Sequence, residues 1–420
     1  MFKVIRRLRW GGLVGMLAIV LAACGTSAPT APAAGTPAAG SGSAATGGET
    51  IKIGAVVPLT GRYAGGATLV KNGYELAVED INKAGGIDVG GRKVSIELTI
   101  LDDESDATKT VQRLETLNSS NQVSAYLGGF GSDLHAAAAA VAEKNKIPYI
   151  GVGFALKKIH ENGYKYLFSP FIKSPDIAKA SFDTLDSLTP KPAKVAIFAE
   201  KTDWGAELEG LWRDEAQKRG YQLVADEQYA PGAKDFAQLI TKAKDAGAEV
   251  LLALPNGQDG ATIVKQMKEL AYTPAASFFI RATDSATWAS NLGKDGDYAM
   301  SVFPWSSTVT YPGSQEMAKR YQAKFNAPAL ATAASAYAAV QVLADAITRA
   351  KSTDRQAIRD ALATADLMTV VGPVKFNPDG TASGLPAVAV QYQDGKIVTV
   401  WPKEQSSAPV MYPAKPFAER

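Results

Sequence analysis

The chain has 420 residues, 46% of them hydrophobic, with 44 basic and 42 acidic side chains. Four of the basic residues precede Cys24, where there is no acidic one, so the rest of the chain carries 40 basic against 42 acidic groups, and no basic surplus points to nucleic acid or anionic lipid as a partner. Two histidines are too few for a histidine-based metal site or for a Ser–His–Asp triad with a spaced acid, and a single cysteine excludes a structural disulfide or a cysteine metal cluster.

Lys3, Arg6, Arg7 and Arg9 form a basic start, followed by an unbroken small and apolar run over residues 10–23. That run is too short to span a bilayer comfortably and ends in small residues, so residues 1–23 are expected to be a secretory signal peptide. Leu21-Ala22-Ala23-Cys24 resembles the lipobox of bacterial lipoproteins, which implies lipidation of Cys24 and a membrane anchor. Residues 24–48 are nearly all Ala, Gly, Pro, Ser and Thr after the cysteine; they cannot bury a core and read as a flexible linker with a reach on the order of 25–30 Å. About 370 residues follow, enough for two domains.

From Ile51 the pattern alternates strand and helix. Residues 51–57 are a β-like run ending at Pro58, and residues 67–83 carry Leu69, Leu76, Ala77 and Ile81 on one helical stripe before Gly85-Gly86 stops them. Val94, Ile96, Leu98 and Ile100 alternate as a strand ending at Asp102-Asp103, which read as turn caps because neighbours in a strand point opposite ways. The stretch 123–145, VSAYLGGFGSDLHAAAAAVAEKN, is an apolar run, a glycine turn and an alanine-rich helix. Ser132 is placed as its N-cap, where free backbone N–H groups and the helix dipole favour an anion. His135, one turn further on, reads as a helix-surface or capping residue. Residues 147–150 form the next strand and break into Gly151-Val152-Gly153-Phe154-Ala155. Strand, glycine turn, helix, strand, glycine turn is a βαβ unit with both loops at strand carboxyl ends, where open parallel sheets bind ligands.

A second series starts past Pro170. Strands are expected at 195–199, 221–228, 250–254 and 277–280, with helices at 207–219, 236–246 and 261–270 between or after them. Trp204 falls in the polar loop after the first of these strands, a position that favours a cleft wall over plain core. Helices at 314–325, 331–350 and 354–363 follow, and Asp394-Gly395 between two apolar runs signals a hairpin. Repeated βα winding calls for an α/β fold with parallel sheets covered by helices, and two such series suggest two similar lobes.

The stretch IGAVVPLTGRYAGGATLVKNGYELAVEDINKAGGI…GRKVSIELTILDDESDATKTVQRLETL resembles the leucine/isoleucine/valine-type solute-binding proteins of ABC importers. Further matches run through YLGGFGS, AEKNKIPYIGVG, VAIFAEKTDWG, DFAQLITKAKDAGAEVLLAL, VVGPVKFNPDG and VAVQYQDGKIVTVWP, so the likeness spans nearly all of residues 49–402. It implies a type I periplasmic-binding fold with two lobes, 49–172 plus 304–382 and 173–303 plus 383–420, closing on a ligand that is delivered to ABC permease and ATPase subunits. It also implies no enzymatic activity and no cofactor. Carried over by position, Ser132 would bind a ligand carboxylate, Gly153 an ammonium through its backbone, and Trp204 would close over the ligand from the second lobe. Asn256 would lie on a second contact loop of that lobe, with Phe154 offering an apolar wall. The chain departs from the family pattern where a frequent threonine is Ala155, and where the acid that pairs with the ammonium is matched only nearby, by Asp284. Small hydrophobic or aromatic carboxylates and amides therefore rank close behind branched-chain amino acids as expected ligands.

Other chemistries find no support. Gly129-Phe130-Gly131 has Leu134 where a dinucleotide loop needs its third glycine, residues 151–156 fail likewise, and there is no GxxxxGK phosphate loop. A ligand-sensing receptor of the same fold, not coupled to transport, is the alternative reading. It would normally continue into a transmembrane segment and a signalling domain, and neither is expected here.

Overall fold

The computed structural model describes residues 49–285 and 287–420. The expected signal peptide, Cys24 and the linker lie outside them. The first part of the chain runs β1 (Thr50–Val57), α1 (Ala64–Lys83), β2 (Ile87–Val89), β3 (Arg92–Asp102), α2 (Ala107–Ser119), β4 (Ala125–Leu127), α3 (Ser132–Asn145), β5 (Tyr149–Ile150) and β6 (Leu167–Phe168). These strands form a six-stranded sheet in the order β2-β3-β1-β4-β5-β6, parallel except for the β2–β3 hairpin. Central β1 is buried on both faces from Ile53 onward, which is why it reads as an apolar run rather than an alternation.

The second part runs α4 (Ser174–Asp186), β7 (Lys194–Glu200), α5 (Asp203–Lys218), β8 (Gln222–Tyr229), α6 (Ala237–Asp245), β9 (Val250–Leu254), α7 (Gly257–Glu269), β10 (Ala276–Phe279), α8 (Trp288–Leu292) and β11 (Ala299–Phe303). After it come α9 (Ser314–Phe325), α10 (Ala331–Ala350), α11 (Arg355–Ala363), β12 (Asp366–Thr369), β13 (Gly372–Phe376), β14 (Ala382–Ser383), β15 (Val388–Gln393) and β16 (Lys396–Trp401). The second sheet has the order β16-β15-β11-β10-β9-β7-β8, parallel from β11 to β8 and antiparallel through the terminal hairpin. Helices α9 and α10 return to pack on α1 beside the first sheet. Strands β12, β13 and β14 make a small antiparallel sheet that touches the first through a bridge from Thr381 to Ser169. Among the described residues no helix is long and apolar enough to cross a membrane.

Two boundaries matter for the site. Helix α5 begins at Asp203, earlier than the sequence pattern suggests, because the Thr202 hydroxyl accepts from Gly205 N at 3.0 Å and caps it. Trp204 therefore stands on the first turn of a helix rather than in a loop. Gly131 (φ +102°) is the N-cap of α3, so Ser132 is its first helical residue and not the cap.

Candidate functional site

The loops after β4, β5, β7, β9 and β10 all leave carboxyl ends of parallel strands, and their side chains meet. From the first sheet, the two glycine loops are bonded to each other by Gly131 N donating to Gly153 O at 3.1 Å. Gly153 has φ +66°, and a Cβ there would stand 2.7 Å from Cδ2 of Phe130, so the close stacking of the loops requires glycine. Ser132 is buried at the start of α3, its Oγ accepting weakly from Leu156 N at 3.4 Å. Phe154 is pinned between neighbours, its ring stacked on His135 with centroids 4.3 Å apart.

From the second sheet, Trp204 is buried and donates through Nε1 to Ser174 Oγ at 3.1 Å. Arg281 is buried beside it, with the guanidinium carbon 5.1 Å from the Trp204 ring centroid and 5.7 Å from that of Tyr63. Its Nη2 donates to Glu200 Oε2 at 3.0 Å and its Nε to Pro255 O at 3.3 Å. Arg62 Nη1 approaches the other Glu200 oxygen at 3.5 Å while its Nη2 donates to Asp133 at 2.7 Å, and Tyr63 Oη donates to the same carboxylate at 2.9 Å. Glu200 is thus a fully buried acid shared by two arginines.

Asp284 is 3% exposed, and its Oδ2 accepts from Thr332 N at 3.0 Å, at the start of α10. Its Oδ1 has no hydrogen-bond partner among the described residues. Burial pushes the Asp284 carboxyl up to about 6, against the bonds from Thr332 and the backbone, which pull it down.

Ser132, Gly153, Phe154, Ala155, Trp204 and Asp284 line one inner cavity of about 30 Å³, together with Arg281 and the apolar side chains of Phe130, Phe171 and Ile177. That is room for about one water, far too small for an amino acid or a benzoate, so a ligand seated within this cavity requires its walls to separate. A polar cavity of about 430 Å³ lies next to it and shares Phe130, Arg281 and Asp284. Asn256 lines this second cavity and not the inner one. Its side chain is engaged as the cap of α7, with Oδ1 accepting from Gln258 N at 2.9 Å and Asp259 N at 3.0 Å and Nδ2 donating to Asp259 at 2.9 Å.

The sequence reading missed Arg281, Glu200, Arg62 and Tyr63, all of which look like ordinary loop residues until the two sheets are brought together. It also misplaced His135, which is fully buried rather than on the helix surface. One ring nitrogen contacts Gly131 O at 2.7 Å, and burial pushes the imidazole down to about 4. Asp102 and Asp103 do cap turns: Asp102 accepts from Glu104 N at 2.8 Å, and Asp103 accepts from Ser105 N at 3.1 Å and from the Thr110 hydroxyl at 2.8 Å.

Two α/β lobes with strand-end loops converging on an anion-favouring helix start, an arginine and aromatic walls define a type I ligand-binding protein. The periplasmic binding protein family matches residues 50–396, and the chain belongs to that family, which binds solutes and is not enzymatic. The chain is 27% identical over 382 residues to Leu/Ile/Val-binding protein homolog 8 of Brucella abortus, covering 86% of this chain and 93% of that protein. Among solved structures it resembles LivJ, the branched-chain amino acid transporter substrate-binding protein from Streptococcus pneumoniae, in complex with isoleucine (TM-score 0.75, 25% identity, 83% of this chain and 98% of that one). It also resembles an ABC transporter solute-binding protein from R. palustris in complex with benzoate (TM-score 0.74, 20% identity, 86% and 98% covered).

Proposed function

We propose that this chain is an extracytoplasmic solute receptor that captures a small carboxylate with an apolar or aromatic body and hands it to an ABC importer. The observation that carries this reading is the convergence of Ser132, Arg281 and five aromatic side chains, Phe303 among them, on one cavity in which one Asp284 oxygen has no partner among the described residues. The start of α3 and the Ser132 hydroxyl would receive the carboxylate, with Arg281 approaching from the other lobe. Phe130, Phe154, Phe171 and Trp204 would hold the body of the ligand. Asp284 Oδ1 would take a donor at the far end, either the ammonium of a branched-chain amino acid or the hydroxyl or amide N–H of another acid. Isoleucine in LivJ and benzoate in the R. palustris protein mark the two ends of this range.

Lobes 49–172 plus 304–382 and 173–303 plus 383–420 would close about the segments that join them, and the small inner cavity supports a ligand entering only when they part. Cys24, behind the basic and apolar start, would carry the lipid that keeps the receptor at the membrane; Cys24→Ser should release it to the soluble fraction, and retention after signal cleavage would contradict the anchor. The ligand class is tested by a thermal-shift screen of branched-chain amino acids, benzoates, hydroxybenzoates and the corresponding amides. A ligand at a hundred times its Kd stabilises the protein by about 2.7 kcal/mol, a readily visible shift. Carboxylates should shift the transition and their methyl esters should not; equal shifts with both would overturn the assignment.

A further inference from the structure

The segment joining β6 to α4 carries a lysine that the binding scheme above does not use. Lys173 is 4% exposed, yet it forms no ion pair with a carboxylate among the described residues. Its Nζ turns back toward the first sheet, donating to Phe154 O at 3.1 Å and to Ser169 Oγ at 2.7 Å, and lies 3.6 Å from the centre of the Phe154 ring. The next residue grips the same loop. Ser174 donates to Ala155 O from its backbone N at 2.9 Å and from its hydroxyl at 3.0 Å, and that hydroxyl accepts the indole N–H of Trp204. Two consecutive residues at the start of α4 thus hold the Phe154 and Ala155 carbonyls of the ligand-facing loop, and Ser174 also holds the facing wall of the other lobe.

We infer that Lys173 is a positioning residue: it ties the Gly153–Ala155 loop to the segment joining the lobes, so that loop, crossing and Trp204 keep one geometry. A buried amine bonded only to neutral acceptors is expensive to desolvate, so packing alone gives no reason for lysine here, and methionine would fill the space without that penalty. The ammonium supplies what methionine lacks: two charge-assisted hydrogen bonds at fixed directions and attraction to the Phe154 ring. The charged and titratable groups around it are His135 of α3, His160, Asp176 of α4, Glu207 of α5 and Asp379. Burial lowers both histidines, to about 4 and about 3, so neither changes charge above neutral pH. Burial also lowers Lys173 well below its ordinary range, with the three carboxylates opposing that shift.

The inference rests on the reading of this cavity as the ligand site, and its test begins without ligand. In protein labelled at the tryptophan indole nitrogens, with the Trp204 resonance assigned through Trp204→Phe, Lys173→Met should move that resonance and leave the other tryptophans in place, while Lys173→Arg should restore it. In the wild type the same resonance should move with a midpoint below pH 10.5, the ordinary lysine value, as the ammonium loses its proton. Should Lys173→Met scatter every indole signal, the wild-type titration decides alone. With L-leucine or benzoate as probe, Lys173→Met, which removes both charge-assisted hydrogen bonds but no contact with the ligand itself, should weaken binding about tenfold, and Lys173→Arg should recover most of it. An unmoved Trp204 signal in folded Lys173→Met, or a wild-type signal flat at every pH between the titration of the two histidines and 10.5, would overturn the inference. Failure of both probes to bind the wild type would count against the ligand reading only.

Discussion

Replacing Arg281 by methionine is expected to destabilise the protein by about 3–5 kcal/mol, the usual loss when one partner of a buried ion pair is removed. The damage would come from Glu200, whose side chain has no exposure and whose nearer cation would then be gone. Arg62, at 3.5 Å and partly exposed, is too distant and too well hydrated to replace it. The double variant Arg281→Met with Glu200→Gln removes both charges and should recover most of the stability, since an unionised buried pair carries no uncompensated charge. Carboxylate binding should not recover with it. Denaturant unfolding and calorimetric titration of the three proteins check both halves. A double variant that regains full affinity would show that Arg281 serves the fold and not the ligand.

Asp284→Asn is expected to separate stability from binding. A carboxyl raised from 3.8 to about 6 by burial favours folding only while protonated. Its contribution is fully present below pH 3.8 and is lost as pH rises through about 6. A rise of that size corresponds to a loss on the order of 3 kcal/mol by neutral pH. Asparagine never ionises and can still accept from Thr332 N, so Asp284→Asn should gain on the wild type as pH rises from 4 to 7 and be the more stable protein at pH 7. Asp103, also raised to about 6 by burial, titrates in both proteins and cancels from the difference. Binding should go the other way. Losing a hydrogen bond to a charged group, about 1.5–3 kcal/mol, should weaken an amine-bearing ligand by ten- to a hundredfold or more, and leave a simple benzoate almost untouched. Parallel unfolding curves for the two proteins across this pH range would mean that Asp284 is not the buried acid described.

The architecture was readable because its central strands are buried on both faces. Residues 53–57 and 250–254 are apolar at nearly every position and end in turn-forming residues, a pattern few structures other than covered parallel strands produce. Ser132 and Trp204 could be named as candidates because a strand end fixes where a site residue would stand, and Gly153 because the family resemblance points to it; the structure brings all three to one cavity. Arg281 could not. A charged residue after a strand reads as solvent-facing, and its burial depends on Glu200, 81 positions earlier and on another strand. Lys173 was hidden in the same way, since its partners lie in a loop of the first lobe. His135 was misjudged because its helix is alanine-rich and shows no clear apolar face, so the side packed against Phe154 and Tyr149 is set by tertiary contacts alone. The edge strand β2 and the small β12–β14 sheet escaped notice because runs of two to five residues carry too little periodicity.

The claim that Ser132, Arg281 and the aromatic walls form a carboxylate site is tested most directly by a crystal structure of the protein with the tightest ligand from the screen. The expected density has the carboxylate at the Ser132 hydroxyl and the first backbone N–H groups of α3, the Arg281 guanidinium within hydrogen-bond reach, and the ligand body against Phe154 and Trp204. A ligand lodged elsewhere, or seated in this cavity with its carboxylate turned away from α3, would contradict the account.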